Sequence, residues 1–230
     1  IANLRARLEA GKTVPFTMVE GPRDGVAEVF FSLARALMRE AGDEFVLIHA
    51  RAAEAINPAY AEATITVAEV LDGLGQHALA IEAYGRVPRD HPSFLTAELG
   101  RADALRRSGK QDAAAEVLNQ LAQTHPDMAN VHVAAGDLAR EQENWARAVA
   151  AYDRALALLE ARDNPQWFVY YVRGIAHERL DQWPEAEADF RRALDLNPDH
   201  PQVLNYLGYT MVEKGINLDE ALGMIERAVA

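Results

Sequence analysis

Proline marks out a ruler along this chain. It falls at Pro58, Pro92, Pro126 and Pro198, at intervals of 34, 34 and 72 residues, and the last interval is two periods plus four. The four extra residues are the polar stretch Asp163, Asn164, Pro165 and Gln166, where a loop has been lengthened. A fixed period of this size predicts a stack of identical supersecondary units, in which each unit contacts only its neighbours. With each proline near the end of a unit, the blocks are 27–60, 61–94, 95–128, 129–162 and 167–200, followed by an incomplete 201–230.

Each block predicts two helices. In its first half, apolar or small residues recur at i, i+3, i+4 and i+7, as in Phe30, Leu33, Ala34 and Leu37 or Leu204, Leu207, Gly208 and Met211. That spacing gives a helix one buried face. A turn follows at Gly75, Gly109 or Gly215, or at the polar pairs Glu143 with Asn144 and Asp181 with Gln182. The second helix carries Ala80, Tyr84 and Val87; Ala114, Leu118 and Leu121; Ala148, Tyr152 and Ala155; Ala186, Phe190 and Ala193; and Ala221, Ile225 and Ala228. It is expected to end just before proline, in Asn57-Pro58, His91-Pro92, His125-Pro126 and Asn197-Pro198, because the proline ring pushes its predecessor out of the helical region. The fold class is therefore all-α, a right-handed α-solenoid of antiparallel helix pairs. The first 26 residues escape the period: Ile1 to Ala10 predicts a short capping helix and Gly11 to Gly25 an extended connection.

The pattern of Gly or Ala at the eighth place, Ala at the twentieth, an aromatic at the twenty-fourth, Ala at the twenty-seventh and Pro at the thirty-second resembles the tetratricopeptide repeat (TPR) family. The resemblance covers 27–230 and is fullest in Gly136, Ala148, Tyr152 and Ala155, then Gly174, Ala186, Phe190, Ala193 and Pro198. It departs from the family where Glu98 and Arg101 stand for large apolar residues, where Val46 and Ala50 replace the usual Ala and aromatic, and where one extra residue precedes Ala221. The ending Leu204-Asn205-Tyr206-Leu207-Gly208-Tyr209, with Asn217-Leu218-Asp219-Glu220-Ala221 after it, is similar to multi-repeat members from proteobacteria. Many such relatives belong to the cell envelope, so the resemblance implies an envelope or periplasmic setting, with the cytoplasm as the alternative. A start at Ile1 and an array that runs to Ala230 without a polar capping helix lead one to expect a longer natural chain.

Composition narrows the function. A net charge of −12 and a pI near 5 disfavour nucleic acid, whose binding rests on Lys and Arg contacts to phosphate. No apolar run is long enough to span a bilayer. With no Cys there is no disulfide, thiolate metal site or thiol nucleophile. Gly11-Lys12-Thr13 lacks the upstream glycine of a phosphate-binding loop, since position 6 is Ala. His91 and His125 occupy equivalent loops of successive units, too far apart to share a metal. The three serines, Ser32, Ser93 and Ser108, have no nucleophile context. Glu185, Glu187 and Asp189 read as a solvated helix face. Neither an enzyme nor a cofactor or metal is expected.

The family builds a concave groove from places two, five, nine and twelve of the first helix, and the resemblance implies the same here. Place five gives the apolar line Phe31, Ile65, Leu99, Val133 and Tyr171, ending at Asn205. Around it stand Glu62, Glu69, Asp72, Asp103 and Asp137, with Arg35, Arg106 and Arg140 among them and Phe168, Ile175 and Tyr209 towards the C-terminal end. The competing reading is that place-five side chains pack on the adjacent helix and the acids pair with nearby arginines. Phe31 with Arg35 and Ile65 with Glu69 replace the Lys and Asn of the family's carboxylate clamp. The expected partner is another protein or peptide segment with apolar anchors and basic flanks. The alternatives are a targeting arm for an enzyme domain encoded elsewhere in the chain and a self-association module.

Overall fold

The computed structural model describes residues 10, 11, 19, 21–38, 40 and 42–229. Among these there are twelve helices and no strand. They run in chain order as α1 (Pro22–Leu37), α2 (Asp43–Ile56), α3 (Ala61–Gly73), α4 (His77–Tyr84), α5 (Phe94–Arg107) and α6 (Gln111–Thr124), then α7 (Ala129–Glu141), α8 (Trp145–Glu160), α9 (Trp167–Arg179), α10 (Trp183–Leu196), α11 (Pro201–Lys214) and α12 (Leu218–Val229). The chain is an all-α helical-repeat solenoid, divided into two compact units, Ile1–Ala104 and Leu105–Ala230, with the boundary inside α5.

In the first unit α1 packs on α2, α2 on α3 and α3 on α4. Its core gathers Val46, Ala50, Ala68, Leu71, Ala80 and Tyr84, and a satellite joins Phe31, Ala53 and Ala63 under Phe30 and Tyr60. In the second unit a continuous core runs from Ala129 to Met224, with Tyr152 and Phe190 fully buried at its centre. Burying an aromatic of this kind contributes about 2–3 kcal/mol. The small residue opposite is essential, because a Cβ on Gly136 would lie 2.4 Å from the Tyr152 ring and one on Gly174 2.8 Å from Phe190.

The turns inside the helix pairs need a left-handed residue to stop the first helix. Gly75, Gly109 and Gly215 supply it at φ 74, 80 and 68°, while Glu143 and Asp181 adopt the same conformation at 56 and 58°. Asn144 then caps α8, its side chain accepting from the Arg147 amide at 3.2 Å.

Two boundaries differ from expectation. The second helix of the second pair stops at Tyr84 rather than at His91. Pro88 explains this: it has no amide to donate and excludes Val87 from the helical region, so Arg86 and Val87 close tight turns onto Ala83 and Tyr84 instead. At the other end α1 begins at Pro22, inside the stretch expected to be an extended connection, because proline is well placed in a first helical turn whose amides have no partner. The helix expected over Ile1 to Ala10 lies, apart from Ala10, outside the described residues, as do 12–18 and 20 of the connection. No described helix is long and apolar enough to cross a membrane.

Candidate functional site

The first helices of the second unit carry the most open part of the predicted groove wall. On α7, Val133, Asp137 and Arg140 are half-buried. On α9, Phe168 is 40% exposed while Tyr171 and Ile175 are half-buried, and on α11 Asn205 is exposed and Tyr209 is 53% exposed. Aromatic contacts hold this section in place. The Tyr171 ring meets Tyr206 edge-on at 6.0 Å and Trp167 at 6.4 Å, and Trp167 stacks on His200 at 4.1 Å. Phe168 stands edge-on to Trp167 at 6.0 Å. Tyr206 donates to Glu178 at 3.2 Å, and burial followed by the Glu178 charge pushes its phenol up to about 12.

The charged residues beside these rings are partly committed. The Tyr152 hydroxyl donates to Asp137 at 2.8 Å, while Arg140 is 3.8 Å from the same carboxylate. Burial raises the Asp137 pKa against the opposing pull of Tyr152, Arg140 and Arg106. Arg106 pairs with Glu141. Arg140 Nε is buried with no hydrogen-bond partner, and the Arg140 charge partly offsets the rise that burial imposes on the Tyr171 phenol.

The first unit places its groove residues differently. Phe31 and Ile65, expected on an open apolar line, are both buried, and only Leu99 of the three is half-exposed. Phe31 is covered by Tyr60 with ring centroids 4.9 Å apart and by the Arg35 guanidinium at 5.9 Å. Ile65 belongs to a helix buried almost throughout, with Thr64, Thr66 and Val67 closed off on either side of it. Here the competing sequence reading describes the packing better than the groove does. Asp72 is buried too and faces His77 Nδ1 at 2.6 Å, which ties the end of α3 to the start of α4. Glu62 accepts a 3.4 Å hydrogen bond from Ser93, and Asp103 is half-buried. Loss of water around the Glu69 carboxyl raises its pKa although the residue as a whole is exposed.

One residue that the sequence assigned to solvent is structural. Asp189 is buried and accepts two hydrogen bonds from Arg173, at 2.8 and 2.6 Å, and Arg173 reaches Asp153 of α8 at 2.6 Å. Glu187 is paired with Arg191 at 2.7 Å. The clue available in sequence was Arg173, a basic residue at a place of the first helix where later Leu207 and earlier Val67 are apolar. Among the described residues no group of three His, Asp or Glu side chains stands together as a metal site.

Comparison with known proteins agrees with this architecture. Residues 66–129 and 167–200 each match a family model described as tetratricopeptide repeat. These two stretches are tetratricopeptide repeats. The structure of the chain is similar to the MamA fragment 41-end from Desulfovibrio magneticus RS-1, at 16% identity and a TM-score of 0.63 over 79% of this chain and 99% of that one. It is similar as well to TTC0263, a TPR protein of Thermus thermophilus, at 19% identity and a TM-score of 0.62 over 81% of this chain and 99% of that one. A chain of the APC/C hetero-tetramer Cut9-Hcn1 gives 16% identity and a TM-score of 0.69 over 93% of this chain, which spans 44% of that longer one. At these identities the likeness is one of fold. The repeats make the chain a protein-interaction or assembly scaffold in the general sense, and the family is typically non-catalytic.

Proposed function

We propose that the first-helix wall of the second unit holds an extended or helical segment of another protein. The observation that carries the reading is the run of apolar and aromatic side chains at successive first-helix places, Val133, Phe168, Tyr171, Ile175 and Tyr209, of which Phe168 and Tyr209 stand open to solvent. Exposed aromatics on a rigid helical scaffold make strong anchors, because they bury much area at little cost in side-chain entropy. The partner segment presents apolar side chains to these rings. Its flanks are basic, in keeping with Asp137, Glu141 and Glu178 beside the wall and with the chain's net charge of −12.

The test starts from a partner recovered with the intact chain, purified, and titrated by calorimetry. Phe168→Asp with Tyr209→Asp is expected to weaken binding at least tenfold while circular dichroism stays unchanged. Leu79→Asp, an exposed apolar residue on a second helix of the first unit, is expected to leave binding as it was. Full affinity in the double variant would remove the wall from the interface.

A further inference from the structure

Arg140 differs from the other half-buried arginines of the second unit. Arg173 donates to Asp189 at 2.8 and 2.6 Å, Arg191 donates to Glu187 at 2.7 Å and to Glu220 at 2.8 Å, and Arg106 donates to Glu141. Arg140 has no bond of that length among the described residues. Its Nη2 lies 3.8 Å from Asp137 Oδ1, beyond hydrogen-bond reach, and its Nε is buried with no partner. The guanidinium also lies against the Tyr152 hydroxyl and opposes the rise that burial imposes on that phenol, but the Tyr152 proton already goes to Asp137. A fork of N–H donors left unmet at a half-buried place is costly, and an acceptor from outside the chain would relieve that cost.

Two neighbours complete the set. The contacts of Asp137 with Tyr152 and Arg140 both fall on Oδ1, which leaves Oδ2 an acceptor without a partner among the described residues. Tyr171, on the next first helix, is fixed through its ring by Trp167, Phe190 and Tyr206. Its hydroxyl makes no hydrogen bond to a described residue, and the charge that acts on it is that of Arg140. The wall thus presents a cationic donor, a phenolic donor and an anionic acceptor together. A carboxylate entering here would be repelled by Asp137 and an ammonium by Arg140. A main chain carries no charge and offers both an acceptor and a donor.

From this set we infer that the wall grips one residue of the bound segment by its main chain, with the carbonyl accepting from Arg140 and Tyr171 and the N–H of the same residue donating to Asp137. The inference rests on the reading of the wall as a docking surface and narrows it to an extended segment. In an extended chain the N–H and C=O of one residue point to the same side, as they do when two antiparallel strands exchange a pair of bonds. In a helix the two point in opposite directions along the axis and are already paired with residues a turn away. The grip is indifferent to the side chain of the held residue, so sequence preference is left to the anchors on Phe168 and Tyr209.

The test uses the 230-residue chain and peptides selected on it from a displayed library of random dodecapeptides, then synthesised and titrated by calorimetry. Peptides lost in Phe168→Asp with Tyr209→Asp report on the wall; if there are none, the wall reading falls and this inference with it. For a wall peptide, Arg140→Met is expected to lower affinity at least about tenfold and Tyr171→Phe about threefold, the losses typical of a charged and a neutral hydrogen bond, with circular dichroism unchanged. An ester in place of each peptide amide in turn is expected to weaken binding at two successive positions. The first removes the N–H given to Asp137. The second weakens the carbonyl held by Arg140 and loses its effect in Arg140→Met. A wall peptide that binds both variants as tightly as the parent overturns the inference while the wall reading stands. So does a flat ester scan, which would leave an Asn or Gln side chain as the group held, or a peptide that binds more tightly once 2-aminoisobutyric acid fixes it as a helix.

Discussion

The two units spend the same helical register in different ways. On α3 the fifth-place residue Ile65 is buried and Asp72 is tied to His77, so this first helix is absorbed into the core on nearly every side. On α9 the fifth-place residue Tyr171 is half-buried and its neighbour Phe168 is open, and this helix keeps a face for solvent. The lesson is that register assigns a side chain to a direction, while the bulk of what lies in that direction decides whether it becomes core or surface. Tyr60, stacked on Phe31 and donating to Glu28, fills space in the first unit that nothing fills at Phe168 and Tyr209.

The sharpest way to break that contrast is a charge at each wall. Ile65→Asp buries an unpaired carboxylate and is expected to lower stability by about 3–5 kcal/mol in urea unfolding. Tyr209→Asp, at an open place, is expected to stay within about 0.5 kcal/mol of the parent. Equal losses would mean that the two walls are alike. Next in size, Asp189→Ala strands the Arg173 guanidinium and is expected to cost about 3 kcal/mol, the low end for breaking a buried ion pair. A loss below about 1 kcal/mol would show that Arg173 finds sufficient partners in Asp153 and water.

The smallest expected effect concerns pH. Burial raises the Asp137 pKa in the folded chain, so the fold holds this proton more tightly than the unfolded chain does. Its contribution therefore favours folding at low pH and is lost as pH rises from the unfolded value near 4 through the raised folded value. Asp137→Asn keeps an acceptor for Tyr152 and removes the titration. Across that window the melting temperature of the parent is expected to fall relative to that of the variant as pH rises, the sign opposite to that of an ordinary salt-bridged carboxylate.

Much of the architecture was legible in sequence because its signals are local. The period of proline, the helical stripes and the left-handed turn positions act within one or two turns of chain, and Glu143 and Asp181 fell where a turn was read without glycine. Pro88 was equally local but lies off the 34-residue ruler, so the period overrode the breaker and α4 was drawn too long. Asp189 was misassigned for a different reason. Its helix is amphipathic and its neighbours are acidic, but its partner Arg173 is 16 residues away on another helix. The site was legible only as a set of places. Which of Ile65, Val133 and Tyr171 stay accessible depends on Tyr60, Trp167 and His200, whose positions no single helix pattern fixes.

Arg173 has a consequence for how the second unit comes apart. By gripping Asp189 of its own pair and Asp153 of the pair before, it rivets α8, α9 and α10 into one mechanical block. The last pair is held to α10 by the more exposed bridge from Arg191 to Glu220. Amide exchange in α8, α9 and α10 is therefore expected to report one slow, concerted opening of the riveted block, with α12 exchanging ahead of it.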